Sequence, residues 1–275
     1  MHLRDRLRRV DDRLIPPIAS ALLRLGRGAR RLRVIRAAAI VLAVALVLVA
    51  VFLVNRTPRT VRAAGAVAGM GVPVGGSIPA YVAHSKSELL RLVAGQAGQA
   101  TTVYGLVSLS AYRTPSQLAP LIGGSDVQVV AVFVHVRSGL PTRTYQIPTA
   151  AVPGDVLRGM SATAAQVQRD LAVVRARDQA LAGSSETDRA VRAQYRVDEQ
   201  VDMLEATQYR SSCACVFAVL VYASPATLAR LAGVAGVRAV EAAPPGTVPG
   251  TFQPPLPEQS GVASPPTTVM ASTAG

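Results

Sequence analysis

The chain has 275 residues, half of them hydrophobic, with 29 Lys and Arg against 16 Asp and Glu for a formal net charge of +13. Trp is absent and Phe occurs four times, so any core is aliphatic and depends on close packing, since burial contributes roughly 25 cal/mol per Å² of apolar area. No phosphate loop, HExxH or GxSxG occurs in the sequence, which excludes the chemistries those motifs carry; the reading predicts no enzyme, no cofactor and no metal site.

Residues 1–36 hold eleven Arg and three Asp. Leu3, Leu7, Val10 and Leu14 recur at helical spacing among the arginines, and Ile18, Leu22 and Leu25 resume after Pro16-Pro17. Such a basic amphipathic segment is expected on anionic lipid headgroups, with Arg27, Arg30, Arg31, Arg33 and Arg36 at the membrane surface, each worth on the order of 1 kcal/mol. No aromatic stacking residue or recognition motif accompanies the charge, so nucleic acid is not an expected partner.

Residues 37–54 (AAAIVLAVALVLVAVFLV) carry no charge. At 1.5 Å per residue they reach about 27 Å, and apolarity all round the helix fits a bilayer rather than a half-buried core helix. Six arginines from Arg24 to Arg36 precede the segment, and Arg56, Arg59 and Arg62 follow it. The imbalance places the N-terminus in the cytoplasm and the bulk of the chain outside the plasma membrane. A cleaved signal peptide, with 66–68 (A-V-A) as its site, is disfavoured because a 36-residue basic region is too long for one. Residues 55–77, with five Gly and two Pro, read as a flexible spacer.

Ser85 and Glu88 form a capping-box pattern before a short helix that stops at Gly95. The most informative pattern follows. Residues 107–130 and 217–240 align without a gap at an offset of 110, with Tyr112, Pro115, Leu118, Leu121, Gly123 and Val127 facing Tyr222, Pro225, Leu228, Leu231, Gly233 and Val237. Each copy reads as strand, capped helix, strand. Thr114 or Ser224 is the expected N-cap, Pro115 or Pro225 the first helical residue, and Gly123 or Gly233 a left-handed exit.

The fold class expected is α+β: a ferredoxin-like, duplicated βαβ extracytoplasmic domain over 78–243, preceded by one transmembrane helix, with repeats at 103–136 and 213–242 and an inserted helical hairpin at 159–209. The repeat strands are apolar on both faces, so the inserted helices or a second subunit should cover the second face. In the insertion, 137–160 reads as loop, and 161–181 and 186–209 read as helices with short apolar stripes. Asp188 and Arg192 form a favourable i,i+4 pair. Residues 244–275, rich in Pro and nearly free of charge, are expected to be disordered.

Cys213 and Cys215 are expected to open the second-repeat strand, with both side chains on one face. They are candidates for a disulfide or for a thiol pair. His135, between valines, reads as a strand residue rather than a catalyst. Tyr112 and Tyr222, at equivalent strand ends, are a candidate interaction surface.

The stretch 220–244 (LVYASPATLARLAGVAGVRAVEAAP) resembles the end of subtilisin propeptide-type inhibitor domains, and the resemblance implies the ferredoxin-like fold alone. The function expected is a single-pass, membrane-anchored protein-binding module, a cell-envelope scaffold or accessory subunit, whose partner is another envelope protein or a second copy. The alternatives are a transmembrane signalling regulator of anti-sigma type and a thiol-redox protein using the C-A-C pair.

Overall fold

Described in the structure, a computed structural model, are residues 67–95, 101–124, 126–263 and 269–271, all within the unit Arg62–Gly275. The basic segment with Arg27, Arg30, Arg31, Arg33 and Arg36, and the apolar stretch 37–54, lie outside them. Among the described residues no helix is long and apolar enough to cross a membrane.

The elements in order are β1 (Val67–Gly71), α1 (Ile78–Gly95), β2 (Val103–Arg113), α2 (Pro115–Ile122), β3 (Val127–His135), β4 (Thr144–Pro148), α3 (Gly154–Ala180), α4 (Glu186–Arg210), β5 (Val216–Ala223), α5 (Pro225–Ala232), β6 (Val237–Ala242), β7 (Val248–Gln253) and β8 (Val269–Ala271). The protein is thus mixed α+β. Its main sheet runs β6-β2-β5-β3-β4-β8, antiparallel except for the β4–β8 edge pair, while β1 and β7 form a separate parallel pair.

The helices α2 and α5 begin and end 110 residues apart, as do their caps. Thr114 Oγ1 accepts from Gln117 N–H (3.3 Å) while Gln117 Oε1 accepts from Thr114 N–H (3.1 Å). Ser224 Oγ accepts from Thr227 N–H (3.2 Å). The expected left-handed exits are absent: Gly123 is extended (φ −65°) and Gly233 right-handed (φ −90°). Gly123 instead allows close approach, because a Cβ there would sit 2.6 Å from the Ala119 carbonyl oxygen.

Two bulges set which side chains share a face. Val129 pairs with Val221 and Ala131 with Leu220, leaving Val130 extra in β3; Phe133 pairs with Ala218 and Val134 with Val216, leaving Phe217 extra in β5. A bulge turns two consecutive side chains the same way. Val130-Ala131 and Phe217-Ala218 accordingly join Leu106, Phe133 and Leu220 on one face. Val107, Val132, Val134, Val219 and Val221 belong to the opposite face, with Leu118 of α2, Leu228 of α5, Met160 and Val167 of α3, and Tyr209 of α4.

The inserted helices pack on the face that carries Val107 and Val219, so among the described residues it is other segments of the chain that lie over the face of Leu106 and Phe133. Met70 of β1, Ala243, Phe252 of β7 and Leu256 pack against it. This corrects two expectations. The spacer 55–77 contains β1, and the segment expected to be a disordered tail contains β7, an ordered run to Ala263, and β8. Arg238 donates to the carbonyls of Leu256 (3.2 Å) and Gln259 (2.6 Å), and Ile78 N–H donates to the Gly261 carbonyl (2.8 Å). Proline-rich chain needs few helix or sheet bonds of its own when its carbonyls accept from donors elsewhere in the protein.

Three further boundaries shift. The helix α1 begins at Ile78, capped by Ser77, whose Oγ accepts from Ala80 N–H (3.3 Å). Ser85, read as a cap, is interior to that helix and buried. Residues 144–148, read as loop, form β4 beside β3, with Pro148 ending the strand. The helix α3 starts at Gly154, earlier than 161, because Asp155 Oδ2 accepts from the N–H groups of Ala150 (2.9 Å) and Ala151 (2.7 Å) and fixes the turn before it.

Candidate functional site

Tyr112 and Tyr222 do not meet. Tyr222 pairs across the sheet with Tyr104, ring centroids 5.0 Å apart, while Tyr112 packs edge-on against Phe217 at 6.1 Å. Phe217 and Tyr222 are five residues apart on β5, about 17 Å at strand rise, so the two tyrosines mark opposite ends of the sheet. Because β2 and β5 run antiparallel, residues matched at the offset of 110 fall at opposite ends of the pair, which is why no joint surface forms. Tyr112 donates its hydroxyl to Glu258 (3.2 Å), and burial first, then the Glu258 charge, pushes its pKa well up.

His135 is buried between two threonines. Thr142 Oγ1 gives its proton to the Val136 carbonyl (2.6 Å) and lies 3.3 Å from Nε2; Thr144 Oγ1 lies 3.4 Å from Nδ1. A hydroxyl has one proton to give, so Nε2 carries the imidazole hydrogen and Nδ1 accepts from Thr144. Burial holds this histidine below its ordinary pKa. Both ring nitrogens thus face threonine hydroxyls of the neighbouring segment.

Cys213 and Cys215 are disulfide-bonded, Cα atoms 5.3 Å apart. They precede β5 instead of opening it, in a turn where Cys215 N–H donates to the Cys213 carbonyl (2.9 Å). That turn removes the alternation which in a strand would hold the pair apart on one face. Among the described residues no group of three or more His, Cys, Asp or Glu is placed to hold a metal ion.

The feature that sequence reasoning underweighted is the length of the hairpin. The helix α3 has 27 residues and α4 has 25, about 40 Å each at 1.5 Å per residue. Only the first half of α3 (Val156 to Val167) and the last half of α4 (Val201 to Tyr209) contribute buried residues. The distal halves form an arm in which each helix packs on the other, and Leu171, Val174, Leu181, Val191 and Tyr195 are only half-buried there. Val173 (49% exposed) and Met203 (48%) lie open. Two helices cannot close an apolar seam that three or four can.

Inside the arm, Ser185 and Asp188 make a reciprocal capping box at the start of α4. Arg192 donates to the Leu181 carbonyl at the end of α3 (2.5 Å), not to the expected Asp188. Arg175 pairs with Glu199 across the seam (2.7 Å).

The arm's root is a buried ionic cluster. Arg143, one residue before β4, donates its backbone N–H and side chain to Glu205 (2.5 Å from N, 2.9 Å from Nε) and also bonds Asp202. Tyr145 adds a hydroxyl to the same Glu205 carboxylate (3.1 Å). The Glu205 side chain is 0% exposed and that of Asp202 4%. Burial outweighs Arg143 at Asp202 and raises its pKa. Glu205 and Asp202 fall on the inner stripe of α4, where an apolar pattern offers no signal for carboxylates; only their i,i+3 spacing could have pointed to them.

A half-buried carboxylate ties the covering strand down. Glu241 of β6 accepts from Gly71 N–H (2.6 Å) and from the Tyr81 hydroxyl (3.1 Å). Burial raises its pKa. A carboxyl raised above its ordinary value of about 4.3 contributes stability that is full below that value and lost as pH rises through the folded one. Glu241→Gln is therefore expected to be at least as stable as the parent at neutral pH and to lack the parent's gain on acidification. Urea midpoints from about pH 4 to pH 7 measure the difference; equal slopes in both proteins would show that this carboxyl is not the titrating group.

No family model, no curated protein and no solved structure matches this chain.

Proposed function

We propose that this chain is a single-pass, membrane-anchored protein-binding module, its N-terminus cytoplasmic and its folded domain extracytoplasmic, serving as a non-enzymatic cell-envelope scaffold or accessory subunit. The membrane part rests on the uncharged stretch 37–54 and the arginines before it. We further read the domain as ferredoxin-like. Support comes from the order β6-β2-β5-β3, in which each helix-linked strand pair is parallel with one strand of the other pair between its members.

The observation that carries the binding role is the arm. A packed domain that closes both faces of its sheet from its own chain has little need of a subunit there. The distal hairpin, by contrast, leaves an apolar seam half open on a stalk about 20 Å beyond the body, the helix-in-groove form of partner recognition. Its occupant is another envelope protein or a second copy. The test is photo-crosslinking in cells from Val173 in the arm and, for comparison, from Val74 near the sheet, using the full-length chain. Adducts from Val173 and none from Val74 are expected. Adducts confined to Val74 would move the binding surface off the arm, and none from either position would remove the binding role.

A further inference from the structure

The joint between α4 and β5 holds both cysteines of the chain. The last turn of α4 closes with Ser212 N–H donating to the Tyr209 carbonyl (3.2 Å) and Cys213 N–H to the Gln208 carbonyl (3.2 Å). Ser212 is left-handed (φ 54°). This is the helix ending that glycine normally makes, and a serine there needs its surroundings to hold it. Immediately beyond, the Cys213–Cys215 bridge encloses a single residue, Ala214.

A disulfide stabilises a fold chiefly by restricting the unfolded chain, and the effect grows with the loop it closes. A bridge over one residue restricts almost nothing that the local turn has not already restricted. Its effect is confined to the joint: it holds the left-handed exit of α4 and the entry to β5. The two sulfurs also differ in access. Cys215 is 2% exposed, and its carbonyl accepts from His135 N–H (2.9 Å). Cys213 is half-buried between exposed Ser211 and Ala214.

We propose that Cys213–Cys215 is a thiol–disulfide exchange site, met from outside at Cys213 by a dithiol reductant, and that opening it loosens the root of the arm. A reductant thiolate attacks Cys213 Sγ, forming a mixed disulfide as the Cys213–Cys215 bond breaks; Cys215 leaves as thiolate and takes a proton. The reductant's second thiol, having lost its proton, attacks its own partner sulfur, and Cys213 leaves and is protonated. Two electrons and two protons pass to the protein, and the dithiol becomes a disulfide. With the bridge open, Ser212 loses its lock and the last turn of α4 frays, the turn that carries Tyr209 and follows Glu205. Attack at a sulfur follows access as well as thiolate character, which is why Cys213 is the point of entry.

The experiment uses the full chain in native buffer with dithiothreitol as the dithiol, alkylation with mass spectrometry to read both cysteines, and hydrogen exchange to read the joint. Both cysteines should become alkylated while the sheet stays folded, and amides 208–215 should exchange about tenfold faster, with those of β3 unchanged. Cys215→Ser should trap a mixed disulfide on Cys213 with a small aromatic disulfide, and Cys213→Ser should trap none on Cys215. A bridge that resists dithiothreitol until the protein is denatured overturns the site. Equal trapping by both variants overturns the assignment of Cys213, and reduction without faster exchange at 208–215 overturns the link to the arm.

Discussion

Arg143→Ala is expected to cost about 3–5 kcal/mol, the loss typical of removing one partner from a buried ion pair. The reason is what stays behind. Glu205 keeps the Arg143 backbone N–H and the Tyr145 hydroxyl, but Asp202 loses the guanidinium, and both carboxylates remain buried. A buried charge without a counter-charge is far worse than a buried pair. The deficit should shrink in acid, because the Asp202 carboxyl already has a raised pKa from burial and protonates readily once Arg143 is gone; stability linked to such a group is present at low pH and lost as pH rises through its folded value. Urea unfolding at neutral and acidic pH measures both parts. A variant as stable as the parent at neutral pH would falsify the view that this cluster fastens the arm to the sheet.

Ending the chain at Gly246 should be the most damaging change of all. It removes Phe252 and Leu256 from the face that carries Leu106, Phe133, Phe217 and Leu220, and it deprives β1 of β7, the strand it pairs with. Arg238 loses both its carbonyl acceptors and Tyr112 loses Glu258. Truncating one buried aromatic to Ala costs about 3–5 kcal/mol, less when half-buried as Phe252 is. Losing the whole cover is comparable to the net stability of an ordinary domain, about 5–15 kcal/mol. The expected result is a protein that binds a hydrophobic dye, self-associates through the opened face and melts early if at all. Size-exclusion chromatography with light scattering decides it: a truncated monomer with the parent's urea midpoint would mean that the segment is dispensable, as a disordered tail would be.

Much of the core topology was legible because its signals are local. Thr114-Pro115 and Ser224-Pro225 mark helix starts through cap and ring geometry that needs no tertiary context, and the Val-rich runs after Gly123 and Gly233 mark strands by composition alone. The hairpin of α3 and α4 was legible from its apolar stripes and the Gly183-Ser184-Ser185 break. The candidate site was much less so. Offset 110 suggests that Tyr112 and Tyr222 are partners, yet matched positions on antiparallel neighbours diverge along the strands. Glu205, Asp202 and Glu241 become a cluster or a clasp only when Arg143, Tyr145, Gly71 and Tyr81 arrive from distant segments, separated from them by as many as 170 residues.

By itself, then, the sequence determined the alternation of strands and helices, the two capped repeat helices, and the two-faced apolar strands that had to be covered. Those follow from residue type and spacing within a few positions, where backbone sterics and burial periodicity act. Tertiary structure alone decided what does the covering. Residues 67–71 and 248–263 have the glycines and prolines of loops, and nothing local makes them ordered; the parallel pairing of β1 with β7, the carbonyls taken by Arg238, and the open apolar face beneath Met70 and Phe252 do. Tertiary structure also decided which hairpin residues stay half exposed, since an apolar stripe reads the same along its length whether or not a sheet lies under it.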